Sequence, residues 1–212
     1  IVIPPTSYLV THRSSFSSIM NVKGCEPMET PYPNMQDNPN LPVESGDHQP
    51  IWQALIKKMP PLTDLRVLVI HCGDGWFCRY ALNHGATAVL GIDTDTEAIQ
   101  NARAAASSDR LRYRIMPDRW LKLLTGPYDL IVGAFDQSPA ELKAITQVLS
   151  ALLNAKGQLV AAVAPPKQPT GDQLAVEELI SSQLVINRWY QVTDKRLAET
   201  AQLYLLLSSR VH

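Results

Sequence analysis

A glycine-containing turn and two acidic residues are the part of the sequence best suited to chemistry. Gly73 and Gly75 follow the apolar run VLVI, and glycine lets a backbone approach a ligand where a side chain would collide. Asp93 lies 20 positions after Gly73, at the end of the next apolar run. A carboxylate there can accept hydrogen bonds from both hydroxyls of a ribose. Asp118, which ends a third run, adds another acid, so the pattern predicts a site for a ribose-bearing ligand.

Parallel strands are needed to bring these groups together, and the chain alternates apolar runs with helical patterns. Seven strands are predicted, at 66–70, 87–92, 111–116, 128–135, 157–164, 184–192 and 202–208. Five helices are predicted among them. Three are at about 49–59, around 145–153 and at 174–180. The other two follow Gly75, ending at Gly85, and a capping box at Thr94-x-x-Glu97.

This alternation predicts an α/β fold, a three-layer αβα sandwich around a Rossmann-like, seven-stranded, mostly parallel sheet. The third run alternates in polarity, which favours a place near the sheet edge. Too few residues join the last two strands for a crossover helix, so the last strand should be antiparallel. In such sheets ligands bind at the carboxyl ends of the strands, where the glycine turn and both acids lie.

Five segments give this pattern a family resemblance: VLVIHCGDGWF, VLGIDTDTEAIQNAR, YRIMPD, YDLIVGAF and LLNAKGQLVAAV. They resemble the successive motifs of class I S-adenosylmethionine-dependent methyltransferases, over about residues 50–209. The stretch GDGWFCRYAL resembles the Gly-x-Gly-Trp-Phe subgroup of small bacterial enzymes. The resemblance implies a transferase that uses S-adenosylmethionine.

The resemblance also implies which residues hold the cofactor: His71, Gly73, Gly75, Asp93, Thr94, Asp118, Arg119 and Phe135. By that likeness the two glycines would lie against the methionine part, and Asp93 would hold the ribose. The adenine amino group would be received by Asp118, with Thr94 and Arg119 beside the ring. Phe135 would line the pocket near the sulfonium.

Two residues depart from the family's first motif. Val69 stands where an acid is usual, and His71 where glycine is usual. Either the imidazole points away and its backbone does what glycine would, or it partly fills the methionine subsite. The second case suggests an alternative function, a non-catalytic methyltransferase-like domain for binding or scaffolding. A nicotinamide-dependent oxidoreductase is a weaker third hypothesis, because its fingerprint needs glycine where Cys78 stands.

No residue is singled out as catalytic, because the family's direct displacement depends mainly on proximity and alignment. Asp136 and Gln137 follow the fourth strand and could act as a base or orient a substrate, as could His12 and His48 if the N-terminal segment covers the site. A plain surface role is the simpler interpretation of each. No metal is predicted, since Cys72 and Cys78 are better explained as buried packing thiols.

Amino-acid composition limits the classes of molecule that this protein is expected to bind. The 19 basic and 20 acidic residues give a net charge of −1, which provides no electrostatic reason to expect a nucleic-acid partner. Strand four leads into GAFD rather than the Asn/Asp-Pro-Pro-Tyr of enzymes that methylate nucleobase or amide nitrogens. We therefore expect a small-molecule methyl acceptor. Three unpaired cysteines and the lack of an apolar run of about 20 residues favour a soluble, cytoplasmic protein without membrane contact.

The chain divides into two parts that differ in composition and in hydrophobic periodicity. Residues 1–46 are rich in proline, asparagine and serine without any helical or alternating period, as in a flexible tail or a lid. Residues 47–212 form the methyltransferase-like domain. Because the sequence begins with Ile1 rather than methionine, it could be a fragment or a processed product. Neither the oligomeric state nor the acceptor follows from the sequence.

Overall fold

A computed structural model describes residues 50–135, 137–163, 183–192 and 203–210. Four predictions lie outside these ranges: the tail or lid at 1–46, the helix at 174–180, and the roles of Asp136 and of the two N-terminal histidines. The described elements suffice to follow the sheet from edge to edge.

Seven strands form one sheet in the order β3-β2-β1-β4-β5-β7-β6. In chain order they are β1 (Arg66–Ile70), β2 (Ala88–Asp93), β3 (Leu111–Ile115), β4 (Tyr128–Phe135), β5 (Leu153–Val163), β6 (Leu184–Val192) and β7 (Leu203–Arg210). Strands β1 to β5 pair in parallel, whereas β7 runs antiparallel to both β5 and β6. The predicted antiparallel last strand and the edge position of β3 are therefore confirmed.

Helices cover both faces of the sheet. The helices are α1 (Pro50–Ile56), α2 (Trp76–Asn83), α3 (Thr96–Ala105), a 3₁₀ helix (Asp118–Leu123) and α4 (Pro139–Leu152). The first three pack with Val67 and Val69 in one apolar cluster, and the 3₁₀ helix and α4 pack with Leu68 and Ile70 in a second. Alternate residues of β1 thus enter opposite clusters, as the pleat requires. The three-layer sandwich is confirmed.

The start of α3 differs from the predicted capping box. Asp95, rather than Thr94, is the N-cap, and its carboxylate accepts hydrogen bonds from the backbone of Glu97 at 2.8 Å and of Ala98 at 3.2 Å. The cause lies in β2, which runs on through Asp93, whose own carboxylate accepts from the Asp95 amide. The extended chain therefore reaches one residue further before the helix begins.

Two other boundaries differ from the sequence pattern. Helix α1 ends at Ile56, three residues before the predicted end, and β5 begins at Leu153 rather than at 157. Leu153 pairs with Tyr128, and the register then shifts before Leu130 pairs with Gln158. The irregular pairing absorbs residues 154–157, whose turn-like composition had suggested a loop.

No helix in the described ranges is long and apolar enough to cross a membrane.

Candidate functional site at the carboxyl ends of the strands

Backbone hydrogen bonds tie the ends of the first three strands together. The Cys72 amide donates to the carbonyl of Ile92 at 3.0 Å, and the Met116 amide donates to the carbonyl of Asp93 at 2.7 Å. The turn after β1, the end of β2 and the exit from β3 therefore meet at one edge of the sheet. This edge carries the glycine turn, Asp93 and the chain that leads to Asp118.

Asp93 holds the glycine turn in place. One carboxylate oxygen accepts from the Gly73 amide at 2.8 Å and the other from the Asp95 amide at 2.9 Å. Each carboxylate oxygen can accept two hydrogen bonds, so Asp93 retains acceptor capacity for a ligand. Its side chain is partly exposed, as a ribose partner would need.

The two glycines of the turn face different surroundings. Both have left-handed backbones, with φ of 56° at Gly73 and 79° at Gly75. A Cβ on Gly73 would meet no atom within 4 Å, which leaves open space over the turn. A Cβ on Gly75 would lie 2.5 Å from the ring of Tyr113 in β3. Gly73 therefore fits the predicted contact with a ligand, whereas Gly75 is needed for packing between the turn and β3.

An ion pair within the turn was not anticipated from the sequence. Asp74 accepts from the Trp76 amide at 3.1 Å, and buried Arg79 donates to the Asp74 carbonyl at 2.7 Å and to its carboxylate at 3.4 Å. Burial raises the pKa of the Asp74 carboxyl, although the Arg79 charge and these hydrogen bonds oppose the shift. An acid followed by arginine five residues later, across a helix start, is the sequence signal for this clamp.

His71 connects three elements. Its φ of 53° is left-handed, so the backbone does adopt the conformation that glycine favours. The imidazole Nδ1 lies 2.8 Å from the carbonyl of Ala134 in β4, and Nε2 lies 3.0 Å from a carboxylate oxygen of Asp118. The Ala134 carbonyl can only accept, so Nδ1 donates to it, and Nε2 donates to the Asp118 carboxylate when the ring is protonated.

Electrostatics at His71 agree with that geometry. Burial lowers the pKa of the imidazole, but the hydrogen bonds to Asp118 and Ala134 and the charges of Asp118 and Asp93 outweigh it and raise the pKa above 6.5. The backbone part of the first hypothesis for His71 is thus observed, whereas filling of the methionine subsite stays a prediction. Its backbone substitutes for glycine, while its side chain crosses toward β4 and the 3₁₀ helix.

The second acid of the site is already hydrogen-bonded on both oxygens. Besides His71, Asp118 accepts from the Gln137 amide nitrogen at 3.3 Å. The Gln137 carbonyl oxygen is buried and has no hydrogen-bond partner among the residues that the structure describes. A buried acceptor without a donor is unfavourable by about 1–3 kcal/mol, so this atom is suited to receive a donor from a ligand.

The remaining predicted residues lie around this centre. Thr94 is exposed directly after β2, and Arg119 is exposed in the 3₁₀ helix, where its guanidinium lies 5.2 Å from the Trp120 ring centre. Phe135 is only 3% exposed and packs edge-on to His71 with ring centres 5.5 Å apart. It therefore supports the His71 ring from the core and does not present a face to open space.

Buried apolar and thiol groups lie beneath the turn. Val69, at the position where an acid is usual in the family, is fully buried in the core. Cys72 and Cys78 are buried beneath Gly91, whose Cβ would lie within 2.9 Å of both sulfurs. A hydrogen bond with Cys78 and burial strongly raise the pKa of the Cys72 thiol, so it stays protonated. The interpretation as packing thiols is confirmed.

This arrangement suits an adenosine-containing cofactor in two respects. Gly73 leaves its turn open, and Asp93 keeps acceptor capacity. Asp118 also has a free lone pair on each oxygen for an adenine amino group, although His71 lies against it. The residues present therefore fit S-adenosylmethionine, with His71 as the departure.

Comparison with known proteins agrees with this geometry. Residues 67–157 match the family described as "Methyltransferase domain". A ribosomal protein L11 methyltransferase from Escherichia coli O8 is 26% identical over 173 residues, which cover 77% of this chain and 56% of that protein. The chain thus spans about half the length of the curated relatives it matches.

Solved structures share the fold. An S-adenosylmethionine-dependent methyltransferase from Mesorhizobium loti superposes with a TM-score of 0.59 at 20% identity, over 80% of this chain and 100% of that one. Magnesium protoporphyrin IX methyltransferase from Synechocystis, solved with bound S-adenosylmethionine, gives a TM-score of 0.57 at 18% identity, over 80% and 78%. The chain is therefore similar in sequence, over residues 67–157, to a methyltransferase domain, and its described sheet shares the fold of S-adenosylmethionine-dependent methyltransferases.

Proposed function

We propose that this protein transfers a methyl group from S-adenosylmethionine to a small-molecule acceptor. The observation that carries the proposal is the convergence of Gly73, Asp93 and Asp118 at one edge of the sheet. The Gly73 amide donates to the Asp93 carboxylate at 2.8 Å. The Asp93 carbonyl accepts from the amide of Met116, which lies two residues before Asp118.

Each of these residues has a definite task in the proposed site. The open turn at Gly73 admits the methionine part of the cofactor, and Asp93 accepts from the ribose hydroxyls. Asp118 accepts from the adenine amino group. His71 lies against the Asp118 carboxylate and the Ala134 carbonyl, so the adenine amino group would share Asp118 with the imidazole.

The chemistry requires alignment more than acid–base help. When bound, S-adenosylmethionine supplies a methyl group on a positively charged sulfur, which a lone pair of the acceptor displaces in line. Gln137 stands at the end of β4 with an unpartnered carbonyl oxygen. That oxygen would accept from an N–H or O–H of the acceptor and so orient its lone pair toward the methyl carbon.

The acceptor class rests on charge. A net charge of −1 supplies no general attraction for nucleic acid, which favours a small molecule. A protein acceptor is a second candidate, favoured by the likeness to the L11 methyltransferases. Incubation with methyl-labelled cofactor separates the two. Label in the low-molecular-weight fraction of a cell extract supports the proposal, and label confined to ribosomal protein L11 contradicts it.

A binding measurement tests the cofactor site itself. We expect S-adenosylhomocysteine to bind in calorimetry, and Asp93→Ala to weaken its affinity about tenfold or more through loss of the ribose contact. Asp109→Ala, which removes a fully exposed carboxylate at the other end of β3, is the matched control and should leave the affinity unchanged. Equal affinities for all three proteins would contradict the site assignment.

The non-catalytic alternative is favoured by buried Val69 and by the contact between His71 and Asp118. It predicts no binding of S-adenosylhomocysteine even at millimolar concentration. A thermal-shift comparison with NAD tests the nicotinamide hypothesis at the same time, because that hypothesis alone predicts stabilisation by NAD without stabilisation by S-adenosylhomocysteine.

A further inference from the structure

A second, positively charged cavity lies on the face of the sheet that carries the 3₁₀ helix. Its volume is about 380 Å³, and it is lined by four arginines and a single acid: Arg66, Arg110, Arg112, Arg114 and Asp109. We call this group the arginine cavity. Arg66 begins β1 and Arg110 precedes β3, so the cavity opens at the amino ends of the strands, away from the glycine turn.

The pleat of the sheet places these arginines together. Leu111 and Tyr113 of β3 are buried in the cluster formed with α1 to α3, so Arg110, Arg112 and Arg114 project from the other face. Alternate residues of a strand are about 6.6 Å apart, which spaces the three guanidinium stems along the edge. Leu90 of β2 pairs with Arg112, and it forms part of the apolar floor.

The charge of the arginine cavity is only partly balanced. Arg110 donates to the carbonyls of Ala86 at 2.8 Å and Thr87 at 2.9 Å, which are uncharged. Arg112 lies 3.6 Å from Asp109, but both side chains are largely exposed. Such exposed pairs contribute little stability.

The two other arginines face no acid that lines the cavity. Arg66 lies over the ring of Tyr128, 4.8 Å from its centre. The Arg114 side chain makes no hydrogen bond or ion pair with any residue in the described ranges. The nearby Asp129 carboxylate is used by the backbone amide of Arg66 and by the Asn154 amide, and it does not line the cavity. Four positive charges and one negative charge thus share a single concave surface.

We propose that the arginine cavity binds a small anion that carries two or more phosphate groups. Guanidinium groups pair with phosphate oxygens in two-point hydrogen bonds, and several such donors converge here. The volume lies within the range of small-molecule sites, and Tyr128 and Leu124 provide an apolar wall for an organic part. The site is separate from the proposed methyl-transfer site, and it stands whether or not that function is correct.

Inorganic pyrophosphate is the probe for this site. We expect calorimetry at low ionic strength to give a Kd below about 1 mM, and added salt to weaken binding. The double variant Arg112→Ala/Arg114→Ala should weaken binding at least about tenfold, because it removes two charge-assisted contacts. Both side chains are exposed, so the variant should unfold at the same temperature as the wild type.

Arg188→Ala is the matched control, since Arg188 is an exposed arginine on β6 outside the arginine cavity. It should bind pyrophosphate like the wild type. The proposal is overturned if pyrophosphate does not bind at millimolar concentration, or if Arg188→Ala weakens it as much as the double variant. It is also overturned if a single-stranded RNA binds far more tightly through Arg112 and Arg114, because the cavity would then serve a nucleic-acid backbone.

Discussion

The imidazole of His71 and the carboxylate of Asp118 are joined by a 3.0 Å hydrogen bond that links the end of β1 to the start of the 3₁₀ helix. The bond occupies the acid that the family resemblance assigns to the adenine amino group. A ligand that uses Asp118 must therefore share it with a positively charged ring or displace that ring.

Cofactor affinity should consequently depend on pH. The pKa of folded His71 is raised above 6.5, so its contribution to stability is complete below 6.5 and is lost as pH rises through the raised value. Loss of the imidazole proton weakens the hydrogen bond between His71 and Asp118. We expect the affinity for S-adenosylhomocysteine to increase over the same interval, as measured by calorimetry at several pH values.

His71→Gly separates this effect from other titrations. Glycine accepts the left-handed backbone at this position and leaves Asp118 free. We expect the variant to bind S-adenosylhomocysteine about tenfold more tightly than the wild type below the His71 pKa, since a charge-assisted hydrogen bond is removed. The pH dependence should disappear. A variant that keeps the wild-type pH profile would show that another group is responsible.

The two glycines of the turn should respond differently to alanine. Gly75→Ala forces a Cβ to within 2.5 Å of the buried Tyr113 ring, in addition to left-handed strain. We expect it to lower the free energy of unfolding by about 2–4 kcal/mol. Gly73→Ala meets no atom within 4 Å, so strain alone applies, at about 1–2 kcal/mol. Urea unfolding of both variants tests this order.

Ligand binding gives the reverse order for the same pair. Gly73→Ala fills space that the proposed cofactor would use and should weaken S-adenosylhomocysteine more than Gly75→Ala does. Replacing Tyr113 with alanine should relieve part of the Gly75→Ala defect and none of the Gly73→Ala defect, which a double-mutant cycle measures. The packing explanation fails if the Tyr113 coupling energy is the same for both glycines.

The clamp between Asp74 and Arg79 should contribute strongly to stability. Arg79→Met leaves the partly buried Asp74 carboxylate without its counter-charge, and we expect a loss of about 3 kcal/mol at neutral pH. Without Arg79 the pKa of Asp74 rises further above 3.8, and the folded state then binds a proton more readily than the unfolded state. The loss of unfolding free energy caused by Arg79→Met should therefore become smaller as pH falls.

Urea unfolding of Arg79→Met at neutral and acidic pH measures that change. The double variant Asp74→Asn/Arg79→Met is its control, since an uncharged amide needs no counter-charge. It should lose less stability than Arg79→Met alone at neutral pH and show no relief on acidification. An equal loss for single and double variants would mean that the Arg79 stem, not its charge, supports the turn.

Most of the fold was predictable because its signals are local. The bounds of β1 and β4 follow from apolar runs that end at polar residues, and the antiparallel β7 follows from the short connection before it. The start of α3 was wrong because its cap depends on where β2 stops. The start of β5 was wrong because a register shift opposite Tyr128 absorbs the expected turn.

The contacts inside the site were harder to predict from the sequence, because they join residues far apart along the chain. His71 reaches Asp118 and Ala134 over separations of 47 and 63 positions, and no spacing rule connects them. The need for glycine at position 75 comes from Tyr113, 38 residues later. A glycine motif predicts that another group lies close to the backbone. It does not predict whether that group is a side chain of the protein, as at Gly75, or a ligand, as proposed at Gly73.

The insertion of β7 between β5 and β6 governs the order in which the sheet can be completed during synthesis. A ribosome makes β5 and β6 before β7 exists, so β5 can pair with β4 on one side only, and β6 has no partner strand, until residues 203–210 have emerged. Until then the apolar residues Leu159 to Val163 present an unpaired edge to other nascent chains. Nascent chains stalled before β7 are thus the species that we expect to require chaperone protection.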